Sequence, residues 1–284
     1  EYWKTEENLI QGFTTFAQKV PFFGFTVLCL DHPTVQSIIP HIRRKICTYG
    51  LSAQADVRAV DIQREATHTT CTVVYKGENL GKLSLNLPGM HNLQNALATV
   101  SVALGLQNPI FMGSSFGGNV ALQLALRHPN KFRAVIPVEA ADYAPGFYLD
   151  WWRHPHANAA QVCASGTWDL MAPQSPEKDR WLTWHYYTQG SEAFKGDLYF
   201  YSVDHDLRKE LQNIDGHKCP VIMLTGTYDY LTPPEATENT ARQIKGGVYI
   251  EMADIGHFPM SENHEVFRVY LMEALKIIQE RTSK

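Results

Sequence analysis

Gly113-Ser114-Ser115-Phe116-Gly117 sets a serine between two glycines, after the apolar run Pro109 to Met112 and before the apolar-periodic run Asn119 to His128. A strand that ends in Gly-x-Ser-x-Gly and turns at once into a helix holds the serine oxygen exposed above a sheet. The chemistry this allows is attack on a carbonyl carbon, with Ser115 as the nucleophile. Glycine is expected at 113 and 117 because strand and helix approach too closely there for side chains. The backbone N–H of Phe116, at the helix start, is expected to meet the oxygen that gains charge in acyl transfer. Two other readings use the same glycines. One is a tight connection without chemistry. The other is a phosphate loop, since Gly113 and Gly118 are spaced as in G-x-x-x-x-G-K-[ST]; Asn119 and Val120 stand where that loop needs lysine and a hydroxyl.

Neutral serine is a poor nucleophile and needs a base within hydrogen-bond reach, held in one tautomer by an acid. His257, in Ile255-Gly256-His257-Phe258-Pro259, is the candidate base, and Asp229, in Thr227-Tyr228-Asp229-Tyr230-Leu231-Thr232-Pro233, is the candidate acid. Each follows an apolar strand-length run, Gly247 to Met252 and Pro220 to Gly226 respectively, which is where open parallel sheets place their sites. Either residue alone could equally belong to a simple turn, Asp229 as a cap for Leu231 or Thr232. Glu139 and Asp142, after the run Arg133 to Val138, are the alternatives for the acid.

The elements that must position these residues read as follows. Glu6 to Val20 has helical spacing, Phe25 to Leu30 and Lys45 to Tyr49 are strands of the parallel type, and Thr34 to Ile42 is a short helix. From about 56 to 87 the pattern alternates, giving an antiparallel meander of three strands turned at Lys76-Gly77-Glu78-Asn79. A helix from about His91 to Leu104 leads to the elbow, and a helix from about Ser261 to Gln279 closes the chain. The segment from about 142 to 216 is rich in Trp, Tyr, His and Pro and is expected to form a cap, with Trp151, Trp152 and Trp184 contacting the substrate and Tyr143, Phe147, Trp168, Trp181, Tyr186 and Tyr187 beside them. Its histidines His154, His156, His185 and His205 lack ligand spacing and read as solvent-facing loop residues, so no metal site is expected.

Two resemblances follow from these motifs. Pro21-Phe22-Phe23-Gly24, Asp31-His32-Pro33, Thr48-Tyr49-Gly50 and Leu87-Pro88-Gly89-Met90-His91-Asn92-Leu93-Gln94-Asn95-Ala96 resemble the latter part of the central domain of UDP-N-acetylmuramate–alanine ligases, of the Mur ligase family, over residues 1–106. That resemblance implies that His91, Asn92 and Asn95 match a helix bordering the nucleotide and metal site. The family's phosphate loop would lie before residue 1, so no nucleotide binding is expected. Residues 107–284 resemble the C-terminal two-thirds of an α/β-hydrolase, whose order of catalytic residues is Ser, Asp, His, as here. The fold expected is therefore α/β, a mostly parallel doubly wound sheet of α/β-hydrolase type with a helical cap, plus the antiparallel meander. The hydrolase strands that precede the elbow in that family, and its oxyanion loop, are replaced by the ligase-like segment. Phe25 to Leu30 and Lys45 to Tyr49 are the only parallel-type strands left to flank the elbow strand. A joint of this kind reads as a chimera: a serine hydrolase acting on an ester-like substrate, working or impaired by the replaced oxyanion loop, or a catalytically silent folding scaffold, with a remnant ligase as the third reading.

The totals agree with an ordinary globular chain: 284 residues, 44% hydrophobic, 19% charged and a net charge of -4. That charge gives no reason to expect nucleic acid or an anionic membrane as partner. The 5 cysteines are scattered, without a CxxC pair, and no basic-then-apolar leader or long apolar run is present, so a soluble cytoplasmic protein is expected. The expected partner is a small-molecule acyl substrate with an apolar part, without a cofactor; the oligomeric state is left open.

Overall fold

The computed structural model describes residues 4–21, 24–86, 89–144, 165–189 and 198–283. The chain divides into two compact units, Glu1–Gln107 and Asn108–Lys284. Among the described residues no helix is long and apolar enough to cross a membrane.

The first unit runs α1 (Glu6–Gln18), β1 (Phe25–Cys29), α2 (Pro33–Ile38), β2 (Lys45–Gly50), β3 (Val57–Arg64), β4 (Thr69–Tyr75), β5 (Glu78–Leu85) and α3 (Met90–Gly105). Its sheet has the order β1-β2-β3-β4-β5, parallel at first and antiparallel from β3 onward. The alternation of β3 and β4 sends Val57, Ala59, Cys71 and Val73 to one face, where they pack on Leu93 and Leu97 of α3. The hairpin between β4 and β5 is tighter than expected: Lys76 and Gly77, with φ of 48° and 91°, make the whole turn, the geometry that matches the twist of paired strands. The ligase-like motifs meet at Asp31, whose carboxylate accepts from the backbone N–H of Leu51 and Ser52 and from the Gln94 amide at 2.9 Å.

The second unit runs β6 (Ile110–Ser114), α4 (Phe116–Arg127), β7 (Ala134–Val138), α5 (Glu177–Gln189), β8 (Ile222–Gly226), α6 (Pro234–Gln243), β9 (Val248–Met252), α7 (Pro259–Glu262) and α8 (His264–Thr282). Its sheet is parallel throughout, in the order β6-β7-β8-β9. Strands this apolar must be covered on both faces, and the period of two divides them. Val135, Val221 and Met223 pack with α4 and α6, whereas Ala134, Ile136, Val138, Ile222 and Leu224 pack with α8. Each fully buried aliphatic here contributes on the order of 2 kcal/mol relative to exposure.

Two expectations are corrected. Phe25 to Leu30 and Lys45 to Tyr49 do not flank the elbow strand: β1 pairs with β2 and β2 with β3, and among the described residues β6 pairs only with β7, at the edge of its own sheet. Partners near in sequence close short loops and win over distant ones. The closing helix is broken as well, because Asn263 leaves helical geometry (φ -158°) and its side chain caps α8 at the N–H of Val266.

Candidate active site

Ser115 occupies the turn between β6 and α4 with φ 55° and ψ -115°, a conformation that costs a non-glycine residue free energy and persists only where its surroundings enforce it. Its N–H donates to the Val138 carbonyl at 2.8 Å, which pins the turn to the end of β7. A Cβ at Gly113 would overlap the backbone of Gly117, and one at Gly118 would lie 2.5 Å from the Val138 carbonyl oxygen. A Cβ at Gly117 would meet nothing within 4 Å, so the crowded pair is 113 and 118 rather than 113 and 117. Phe116 is the first residue of α4, where a backbone N–H has no acceptor within the helix.

His257 stands in the loop after β9, with Nε2 2.9 Å from Ser115 Oγ and Nδ1 2.8 Å from Asp229 Oδ2. Asp229, in the loop after β8, uses Oδ1 to accept from the N–H groups of Leu231 (2.8 Å) and Thr232 (3.1 Å). The capping role and the contact with His257 therefore coexist on its two oxygens. Burial pushes the Asp229 carboxyl up, but the electrostatic pull of His257 and the hydrogen bonds from His257, Glu139 and Thr232 outweigh it and hold the group below its ordinary value. Glu139, just past β7, is driven well above its ordinary value by burial first and by the Asp229 charge second. It accepts the Gly226 N–H at 3.0 Å and hydrogen-bonds to Asp229. Glu139, Asp229 and His257 offer ligand atoms within 4.8 Å of one another. Their ring nitrogens and carboxylate oxygens are already engaged by Ser115, by each other and by backbone N–H groups, so a cation would have to displace those donors.

The loop that carries His257 is held by a residue the sequence reading did not single out. Glu262, fully buried, accepts from the N–H of Gly256 (2.6 Å) and Phe258 (3.2 Å), on either side of His257. It also accepts from the Ala172 N–H and the Ser175 hydroxyl of the cap segment. His257 itself donates its backbone N–H to Leu170 at 2.9 Å.

Trp184 lies in an apolar cluster with Trp168, Leu170, Met171, Leu231 and Phe258, and so against the neighbour of His257. Trp151, Trp152, Phe147, His154 and His156 lie outside the described residues. His185 is exposed, but His205 is buried, not solvent-facing: its Nε2 lies 2.7 Å from the Ala141 carbonyl, and burial lowers its pKa. Asp142 lies apart from the Ser115–His257–Asp229 chain, its carboxylate accepting from Thr240 of α6. His91 and Asn95 are exposed on α3 and Asn92 is half-buried; all three belong to the first unit. A further residue absent from the sequence reading, Tyr201, places its hydroxyl 2.8 Å from Ser115 Oγ. No spacing in the sequence marks it, since the contact joins positions 86 residues apart.

The Mur ligase middle domain family matches residues 1–103. UDP-N-acetylmuramate–L-alanine ligase from Geotalea daltonii is 34% identical over 211 residues, which is 72% of this chain and 42% of that protein. The chain thus spans less than half the length of this relative. A thermophilic esterase from Thermogutta terrifontis has a similar structure with a TM-score of 0.52 at 19% identity, covering 69% of this chain and 76% of the esterase. The enol-lactonase from Burkholderia xenovorans gives a TM-score of 0.50 at 20% identity, covering 64% and 71%. At such identities the likeness is one of fold. The chain is therefore similar to the Mur ligase middle domain family over its first 103 residues and, in an α/β fold alone, to an esterase and an enol-lactonase.

Proposed function

We propose that the second unit is a serine hydrolase for esters, or related acyl compounds, with an apolar part. The observation that carries the reading is the unbroken chain of hydrogen bonds from Ser115 Oγ through both ring nitrogens of His257 to Asp229, at 2.9 and 2.8 Å. An ionised Asp229 accepts only, so neutral His257 carries its proton on Nδ1 and offers the Nε2 lone pair to the Ser115 hydroxyl. As Oγ bonds to the substrate carbonyl carbon, its proton passes to Nε2 and the C=O π electrons move onto the carbonyl oxygen. The N–H of Phe116 is a donor for that oxygen. Collapse breaks the bond to the leaving alcohol, which takes the proton from Nε2. Water then attacks the acyl-enzyme by the same route, releasing the acid and restoring Ser115. Asp229 remains ionised and stabilises the imidazolium formed in each half.

The apolar cluster of Trp168, Trp184, Leu231 and Phe258, packed beside His257, agrees with an apolar acyl or alcohol part. That two proteins of similar fold are named an esterase and an enol-lactonase agrees with this substrate class. The free thiols of Cys29, Cys47, Cys71 and Cys219 suit a reducing compartment, in keeping with a cytoplasmic enzyme. The test is hydrolysis of p-nitrophenyl esters of increasing chain length, run with and without magnesium ATP. Expected are turnover that rises with chain length, indifference to ATP, and loss of roughly 10⁴-fold or more in kcat in Ser115→Ala. An unchanged rate in the variant contradicts the reading, and turnover that requires ATP supports instead the ligase reading that the Mur similarity favours.

A further inference from the structure

We infer that Tyr201 is a catalytic residue that supplies a second hydrogen-bond donor to the oxyanion, a refinement that rests on the serine-hydrolase reading. In the serine-hydrolase reading the single proton of the Ser115 hydroxyl is given to Nε2 of His257, 2.9 Å away. The contact of 2.8 Å between Ser115 Oγ and the Tyr201 hydroxyl is therefore made by the phenol donating to serine. A donor thus already points at the reacting oxygen before substrate arrives. Once Oγ is bonded to the carbonyl carbon it becomes a weak acceptor, and the oxygen that gains charge sits one bond angle away on the same carbon. The phenol proton turns to that stronger acceptor without leaving its place.

Such a donor contributes only if it is held in advance. Tyr201 is buried, 5% exposed, on the π-helical turn Phe200–Asp204, a type of distortion often found at functional sites. Its ring meets that of Phe116, next to Ser115, edge-on at 6.4 Å, and Phe200 meets Phe116 at 4.6 Å. His205 stacks on Phe200 and hydrogen-bonds to the Ala141 carbonyl just past β7, while the N–H of Leu207 donates to the Asp142 carbonyl at 2.9 Å. The phenol is thus tied to the same strand end that pins the serine turn.

The experiment compares wild type with Tyr201→Phe in ester hydrolysis and in inhibition by phenylboronic acid, which adds to the serine as a tetrahedral anion. Expected is a fall of about 10²- to 10³-fold in kcat, with boronate affinity falling in parallel and KM and the unfolding temperature little changed. Tyr201→3-fluorotyrosine, the same shape with a more acidic phenol, should move the alkaline limb of the kcat profile to lower pH, a shift that a packing role does not produce. Active wild type with Tyr201→Phe equally active or faster overturns the assignment and leaves the hydrolase reading intact, as does an unmoved alkaline limb. Folded wild type that neither turns over esters nor binds the boronate overturns both.

Discussion

Asp229 and Glu139 share one buried pocket and titrate in opposite directions. Asp229 lies below its ordinary value, so the stability it contributes is present above about pH 3.9 and is lost as the pH falls. Glu139 lies far above its ordinary value, so its contribution is fully present below about pH 4.3 and is lost as the pH rises through its folded-state value. Glutamine at 139 keeps an acceptor for Gly226 and a donor for Asp229 but does not titrate. We therefore predict that Glu139→Gln gains in unfolding temperature over wild type as the pH is raised from about 4 toward neutrality. A temperature difference that stays constant over that range counts against a raised Glu139 pKa. At this scale the sequence was partly readable. Ser115, Asp229 and His257 each follow an apolar run and occupy turns, and these features are local. Tyr201 acts on Ser115 across 86 positions, and no local pattern marks it, while Glu262 joins its near neighbours Gly256 and Phe258 to Ala172, 90 positions away.

The strand–turn–helix from β6 to α4 makes the serine available, and its tolerance is uneven along a few residues. Gly113→Ala forces a Cβ onto the backbone of Gly117, and backbone cannot swing aside as a side chain can. We expect a cost of about 3 kcal/mol or more in a denaturant titration. Gly117→Ala enters open space within a helix and should be neutral or stabilising by up to about 1 kcal/mol. Equal destabilisation by both substitutions would contradict the described turn. The general need for glycine was visible in the motif, but which glycines it falls on depends on the approach of Val138 and Ala140 from the next strand. The same limit explains the closing helix. Apolar spacing continues through Asn263, and only the hydrogen bond from Val266 to its side chain shows that a new helix starts there.

For the molecule, the apolar runs and the change of period from alternating to helical were sufficient to anticipate an α/β fold with an antiparallel meander. They did not reveal sheet membership, because a parallel strand such as β1 or β2 carries the same signature whichever sheet it joins. The outcome is a ligase-like unit with its own core around Leu93 and Leu97, and a second unit whose two cores flank a four-stranded parallel sheet. The central claim is that Ser115 of this chain is an activated nucleophile. It is tested most directly by treating the intact protein with a fluorophosphonate probe and mapping the label by mass spectrometry. Wild type, Ser115→Ala and His257→Ala are compared, each checked by circular dichroism. The account predicts one label per chain, on Ser115, in wild type and almost none in either variant. Folded wild type without label, or label that persists in Ser115→Ala, would contradict it.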